Sequence, residues 1–127
     1  MICLDSSALL AIAMGEPGWE RCMDAIHAER ELIMSAGTLT EVLIVAARRG
    51  LEEEVEALLT GLNPQVVALA RDSATAAAAA YRRWGKGLHP AGLNYGDCFA
   101  YEAAQRHGCP LLYVGDDFSK TDVVSAL

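Results

Sequence analysis

The opening residues Met1-Ile2-Cys3-Leu4-Asp5 constrain the fold more than any other feature: a short apolar run that stops at an aspartate. A run of that length with a polar stop reads as a buried strand. The pattern returns at Leu111–Val114, which stops at Gly115-Asp116-Asp117. Two further strand candidates, Leu32–Met34 and Gln65–Ala70, lie between them. Stretches of helical periodicity fill the gaps. Ala8–Met14 follows Ser6 and Ser7, either of which can cap it. Residues 19–30 carry Trp19, Cys22, Met23 and Ile26 at helical spacing, and Thr38–Arg49 is closed by Gly50. Glu52–Thr60 opens on an acidic turn, and Asp72 or Ser73 caps a helix running to Trp84. Tyr95–His107 is ended by Gly108 and Pro110. Strands alternating with helices along the whole chain predict an α/β fold with a mainly parallel sheet.

At 127 residues the chain makes a single domain, 1–127, large enough to need no disulfide or structural metal. Cys3, Cys22, Cys98 and Cys109 form no C-x-x-C pair and read as reduced, mostly buried small hydrophobes. That usage fits a reducing cytoplasm. The first residues lack the basic region and cleavage site of a signal peptide, and no apolar run approaches the ~20 residues that span a bilayer. A soluble cytoplasmic protein is expected.

In open parallel sheets, functional groups gather at the carboxyl ends of the strands. Asp5 ends the first strand and Asp116–Asp117 follow the last, so acids from opposite ends of the chain fall on one sheet edge. Asp97 lies in the first turn of a largely apolar helix. Glu41 is the sole acid of Thr38–Arg49, where Leu39, Val42, Leu43 and Ala46 cover one face and Ile44 and Val45 widen it. That helix should be well buried, and a carboxylate near a core is expensive unless a cation compensates it. Each acid also has an ordinary reading: Asp5 as a helix cap, Asp97 as a first-turn acid, Glu41 as a partner of Arg48 or a solvent-facing group, Asp116–Asp117 as a polar turn. Their joint recurrence at one sheet edge is what favours a site. Hard oxygen ligands without histidine or thiolate suit Mg²⁺ or Mn²⁺ rather than Zn²⁺. His27 and His107 read as surface residues, and His89 lies in the basic loop Gly85–Leu93.

These motifs resemble those of PIN-domain nucleases. Met1-Ile2-Cys3-Leu4-Asp5-Ser6-Ser7-Ala8 is similar to their opening strand, acid and serine turn, and Thr40-Glu41-Val42 to their central helix glutamate. Leu93-Asn94-Tyr95-Gly96-Asp97-Cys98-Phe99-Ala100 resembles their third acid as it stands in VapC toxins, and Leu112-Tyr113-Val114-Gly115-Asp116-Asp117-Phe118 their last strand and acidic turn. The resemblance implies a three-layer α/β/α sandwich with a mainly parallel central sheet of four or five strands. It further implies a Mg²⁺-dependent endoribonuclease that leaves 5′-phosphates, forms a homodimer and is inhibited by a cognate VapB antitoxin. By position, Asp5 and Asp97 become direct metal ligands, Glu41 and an acid of the 116–117 pair complete the quartet, and Ser7 is the supporting hydroxyl. Many PIN domains carry aspartate where this chain has Gly115, so Asp116 or Asp117 stands in, Asp116 being preferred.

A net charge of −7 sits awkwardly with RNA binding, which usually leaves a basic footprint. Part of it belongs to the proposed site, and Glu52, Glu53, Glu54 and Glu56 read as a solvated helix face. Arg82, Arg83 and Lys86, with His89, concentrate positive charge before Asp97 and are expected to contact RNA phosphates; the alternative is a basic helix end favoured by the dipole. Three other functions compete. A phosphoacceptor receiver domain needs an aspartate ending its central strand and a lysine ending its last, and neither is present. A catalytically silent binding module and a PIN nuclease of RNA processing stay open.

Overall fold

The computed structural model describes residues 1–127. Ten elements follow in the order β1 (Ile2–Leu4), α1 (Ser6–Met14), α2 (Trp19–His27), β2 (Leu32–Ser35), α3 (Ala36–Arg49), α4 (Glu52–Leu62), β3 (Gln65–Val67), α5 (Arg71–Trp84), α6 (Tyr95–His107) and β4 (Leu111–Leu112). The strands form one parallel sheet in the order β3-β2-β1-β4. Beyond β4 the C-terminal segment adds a single parallel bridge, Leu111 to Ser125, with Leu111 N–H donating to Val124 O at 2.8 Å.

Side chains alternate across a strand, and here the alternation builds two cores. Cys3, Ile33, Val67 and Leu111 face α5 and α6, packing with Ala77, Ala100, Tyr101 and Phe118. Ile2, Leu4, Met34 and Leu112 face the other way, onto α1, α2, α3 and α4 through Leu9, Ile26, Val42 and Val55. The result is the three-layer α/β/α arrangement that the family resemblance implied, around the parallel sheet expected from the alternation of strands and helices.

Several local expectations need correction. Asp5, not Ser6 or Ser7, caps α1, accepting from Ser7 N–H. Helix α5 starts at Arg71 with Ala70 as its cap residue, and Ser73 sits inside the first turn, where its Oγ accepts from Ala70 N–H at 2.5 Å. Strands β3 and β4 are shorter than their apolar runs, because Ala68–Ala70 and Tyr113–Val114 have no strand partner along their length. Helix α3 is not well buried: Leu43 and Ile44 are 46% and 54% exposed, because the core is met by the stripe Thr38, Val42 and Ala46 with half-buried Leu39 beside it. The run Glu52, Glu53, Glu54 and Glu56 is solvent-facing, as expected.

Candidate active site

The site forms where the ends of β1 and β4, the first turns of α1 and α6 and the second turn of α3 converge. Asp5 leaves β1 in an extended conformation and caps α1. Its Oδ2 accepts from Ser7 N–H at 3.0 Å and from Ser7 Oγ at 2.5 Å. Ser7 Oγ in turn accepts from Val114 N–H at 3.0 Å. One hydroxyl thus ties the first acid to the segment just past the last strand, Val114 lying 107 residues after Ser7.

Ser6, freed from capping, donates its hydroxyl to Glu41 Oε1. Glu41 therefore neither pairs with Arg48 nor points to bulk water. Its carboxylate also lies over Gly96, where an added Cβ would collide with Glu41 Oε2 and come within 2.9 Å of its Cδ. One turn earlier, a Cβ on Gly37 would come within 2.7 Å of the Phe99 ring. Two glycines, one on each helix, let α3 and α6 approach closely enough to bring Glu41 beside the start of α6.

Asp97 is the third residue of α6. It closes a reciprocal cap with Asn94: Asp97 N–H donates to Asn94 Oδ1 at 2.8 Å and Asn94 N–H to Asp97 Oδ2 at 2.9 Å. The ordinary reading of Asp97 as a first-turn acid and its reading as a site residue are both true of it, and the same holds for Asp5 as a cap.

The electrostatics set these acids apart. Asp5 and Asp97 are 4% and 6% exposed. Burial pushes the Asp5 carboxyl up to about 6, against the lowering effect of the Ser7 bonds, and the Glu41 charge adds to the rise. Burial likewise pushes Asp97 up to about 7; the Asn94 bond opposes this, while the charges of Asp5, Asp117 and Glu41 reinforce it. The ion pairs of the chain involve Glu29, Asp122 and Glu102, so no protein cation neutralises Asp5, Glu41 or Asp97.

Of the terminal pair, it is Asp117 whose charge reaches Asp97. Asp116 serves the turn, its carbonyl accepting from Ser119 N–H at 3.1 Å and Ser119 Oγ at 2.7 Å. The preceding Gly115 has φ +95°, a conformation that favours glycine over residues with a side chain. Of the basic cluster, Arg82 and Lys86 are exposed and make no ion pair. Arg83 is engaged elsewhere, 3.3 Å from Asp122 and with its Cζ 4.4 Å from the Trp84 ring centroid. His89 accepts from Ala91 N–H and packs edge-on against Trp84.

The donor set fits a hard divalent cation: carboxylate and hydroxyl oxygens, desolvated, with excess negative charge. No three acids stand ready as a coordination sphere, since each is held by its own hydrogen bond to Ser6, Ser7 or Asn94. Asp5, Asp97 and Glu41 are the residues that could hold such an ion after rearrangement, with exposed Asp117 near Asp97.

The sequence alone does not single out Ser6, Gly37, Thr38 or the capping role of Asn94. The Asn-x-x-Asp spacing is a legible cap signal, and an isolated glycine in a helical pattern marks close approach. Thr38, whose buried hydroxyl has no partner, carries no such sign.

The PIN domain family model matches residues 2–124. Ribonuclease VapC30 of Mycobacterium tuberculosis is 43% identical over 125 residues, which cover 96% of this chain and 95% of that protein. Ribonuclease VapC of Mycolicibacterium smegmatis is 42% identical, covering 96% and 97%. This chain belongs to the VapC ribonuclease branch of the PIN-domain family. The solved structures similar to this PIN domain share its fold at low identity. Mycobacterium tuberculosis VapC20, described as a sarcin-ricin loop cleaving toxin, superposes with a TM-score of 0.78 at 16% identity, covering 98% of this chain and 97% of that one. A toxin–antitoxin complex from Klebsiella pneumoniae gives 0.75 at 19% identity, covering 100% and 98%.

Proposed function

We propose that this PIN domain is a Mg²⁺-dependent endoribonuclease toxin, with Mn²⁺ able to substitute, that hydrolyses RNA phosphodiester bonds. The observation that carries it is the gathering of buried Asp5 and Asp97 with half-buried Glu41, from three separate segments, into a cluster that no protein cation offsets. Relatives named as ribonucleases at 42–43% identity support the RNA substrate.

Asp5 and Asp97 are the principal ligands in this proposal. Glu41 and Asp117, the latter in place of the Asp116 preferred from sequence, complete the acidic set. When bound, a divalent cation supplies Lewis acidity to phosphodiester hydrolysis. The chain's own groups hold the geometry. Ser7 fixes the Asp5 carboxylate, Asn94 that of Asp97, and Ser6 with Gly96 that of Glu41. Arg82 and Lys86 bind flanking RNA phosphates.

The proposal extends to partners. A toxin–antitoxin complex and VapBC2 from Rickettsia felis, bound to a promoter DNA fragment, share the fold, which supports neutralisation by a VapB-type antitoxin. The exposed Leu43 and Ile44 of α3 are available to a homodimer or antitoxin contact. No helix is long and apolar enough to cross a membrane, in keeping with action in the cytoplasm. The test is incubation of the purified protein with total RNA, with and without Mg²⁺, followed by mapping of the new ends. Metal-dependent cleavage that Asp5→Asn abolishes is the expected result; cleavage by Asp5→Asn at the wild-type rate would overturn the proposal.

A further inference from the structure

Beside the acidic cluster, and outside it, a cleft of about 430 Å³ runs between α5 and α6. Ala77 and Ala78 form its floor, Tyr81, Tyr95 and Phe99 its walls, and Arg82 is its one charged lining residue. Its size falls in the range of small-ligand clefts. Tyr95 is 78% exposed, the most exposed of the chain's large apolar side chains. It opens α6 two residues before Asp97, and side chains in a first turn lean toward the helix N-terminus. Tyr95 thus stands on the rim shared by the cleft and the acids. Its ring meets Phe99 edge to face, with centroids 4.8 Å apart at 88°, which braces it and leaves a face free. Arg82 makes no ion pair, and Lys86 lies just beyond the end of the same helix.

We propose that this cleft seats one unstacked base of a single-stranded RNA, packed against Tyr95, with Arg82 holding the adjoining phosphate. The inference rests on the ribonuclease reading and deepens it: the substrate is presented as an unpaired nucleotide next to the scissile bond. An aromatic face beside an unpaired cation is the pairing that a base and its phosphate require. An aliphatic helix would match the alanine floor but gain nothing from Arg82. Base–aromatic stacking is sequence-tolerant and is worth about 1–3 kcal/mol per base by alanine substitution, about five-fold or more in affinity.

The experiment uses two fluorescein-labelled RNA probes, a 12-mer of adenosine and a 12-mer of abasic ribose phosphate, read by anisotropy without Mg²⁺. Wild type binds the adenosine strand at least five-fold more tightly. Tyr95→Ala loses that difference, Tyr95→Phe keeps it, and Ala78→Phe, which fills the floor, also loses it. The exposure of Tyr95 leaves folding intact, checked by thermal unfolding. Cleavage of total RNA with Mg²⁺ forms the second arm: Tyr95→Ala raises KM with little change in kcat. An adenosine preference in a protein that cuts no RNA would fail the nuclease reading while upholding the cleft. Tyr95→Ala binding adenosine as wild type does would overturn the cleft, and lost co-purification of an antitoxin in that variant would then assign it to a protein partner.

Discussion

Asp5 and Asp97 each do two jobs, and the two have opposite electrostatic demands. As caps they profit from the positive ends of α1 and α6. As buried neighbours they repel one another and have lost water. The second effect wins, since both carboxyls titrate above the ordinary 3.8. The folded chain therefore holds protons that the unfolded chain has released. The contribution of these groups to stability is complete below about pH 4 and is lost as pH rises through 6 and then 7. Asp97→Asn keeps the cap geometry and removes the charge. Without divalent ions it should melt a few degrees higher than wild type at pH 8 and about level with it at pH 4, while metal-dependent RNA cleavage falls at least a hundred-fold. Thermal scans across pH and an end-mapping assay check both halves.

At the scale of elements, the meeting of α3 and α6 decides whether Glu41 reaches the site. Gly96→Ala adds a better helix former, about 0.8–1.0 kcal/mol in an open position. Here the new Cβ meets the Glu41 carboxylate, the end of a flexible side chain that can swing away. Activity should fall ten-fold or more with little change in the urea midpoint. Gly37→Ala meets the Phe99 ring and should instead destabilise by about 1–3 kcal/mol, seen as a lower midpoint. This contrast also shows what sequence can and cannot convey. Strand and helix order, and the two cores, are readable from apolar runs because burial on two sheet faces demands them. That Asp5 and the Asp116–Asp117 pair lie at one edge follows from strand ends, whereas the place of Asp97 beside them depends on how α6 packs. The apolar pattern of α3 overstates its burial, because it counts apolar residues without knowing that Leu43 and Ile44 find nothing to cover them. The choice between Asp116 and Asp117 turns on which charge reaches Asp97, a proximity no composition reveals.

For the whole molecule, charge is the governing quantity. With −7 overall, RNA must be met locally, and only Arg82 and Lys86 of the expected basic cluster are at liberty, Arg83 being held by Asp122. Replacing both by Gln should weaken single-stranded RNA binding and flatten the logarithmic salt slope by about 0.7 for each phosphate left without its cation. Arg83→Gln should leave that slope unchanged. Divalent ions oppose protons for the same carboxylates, so their effect on stability has a direction with pH. The rise in melting temperature caused by MnCl₂ should be small at pH 5, grow through pH 6–7 and level off by pH 8. A shift of equal size across that whole range would contradict the assignment of these acids as ligands.

The bond from Val114 N–H to Ser7 Oγ has a temporal meaning as well as a spatial one. Strand β1 is made first yet sits inside the sheet, with β4 as its last neighbour. Until β4 arrives, Cys3 and Asp5 lack the carbonyls of Pro110 and Leu112 that take their N–H groups, and Ser7, though bonded to Asp5, lacks its tie to Val114. A chain still being synthesised thus carries its first acid for nearly its whole length without the strand that pairs with its backbone. The acidic cluster is therefore complete only once these two distant segments have met.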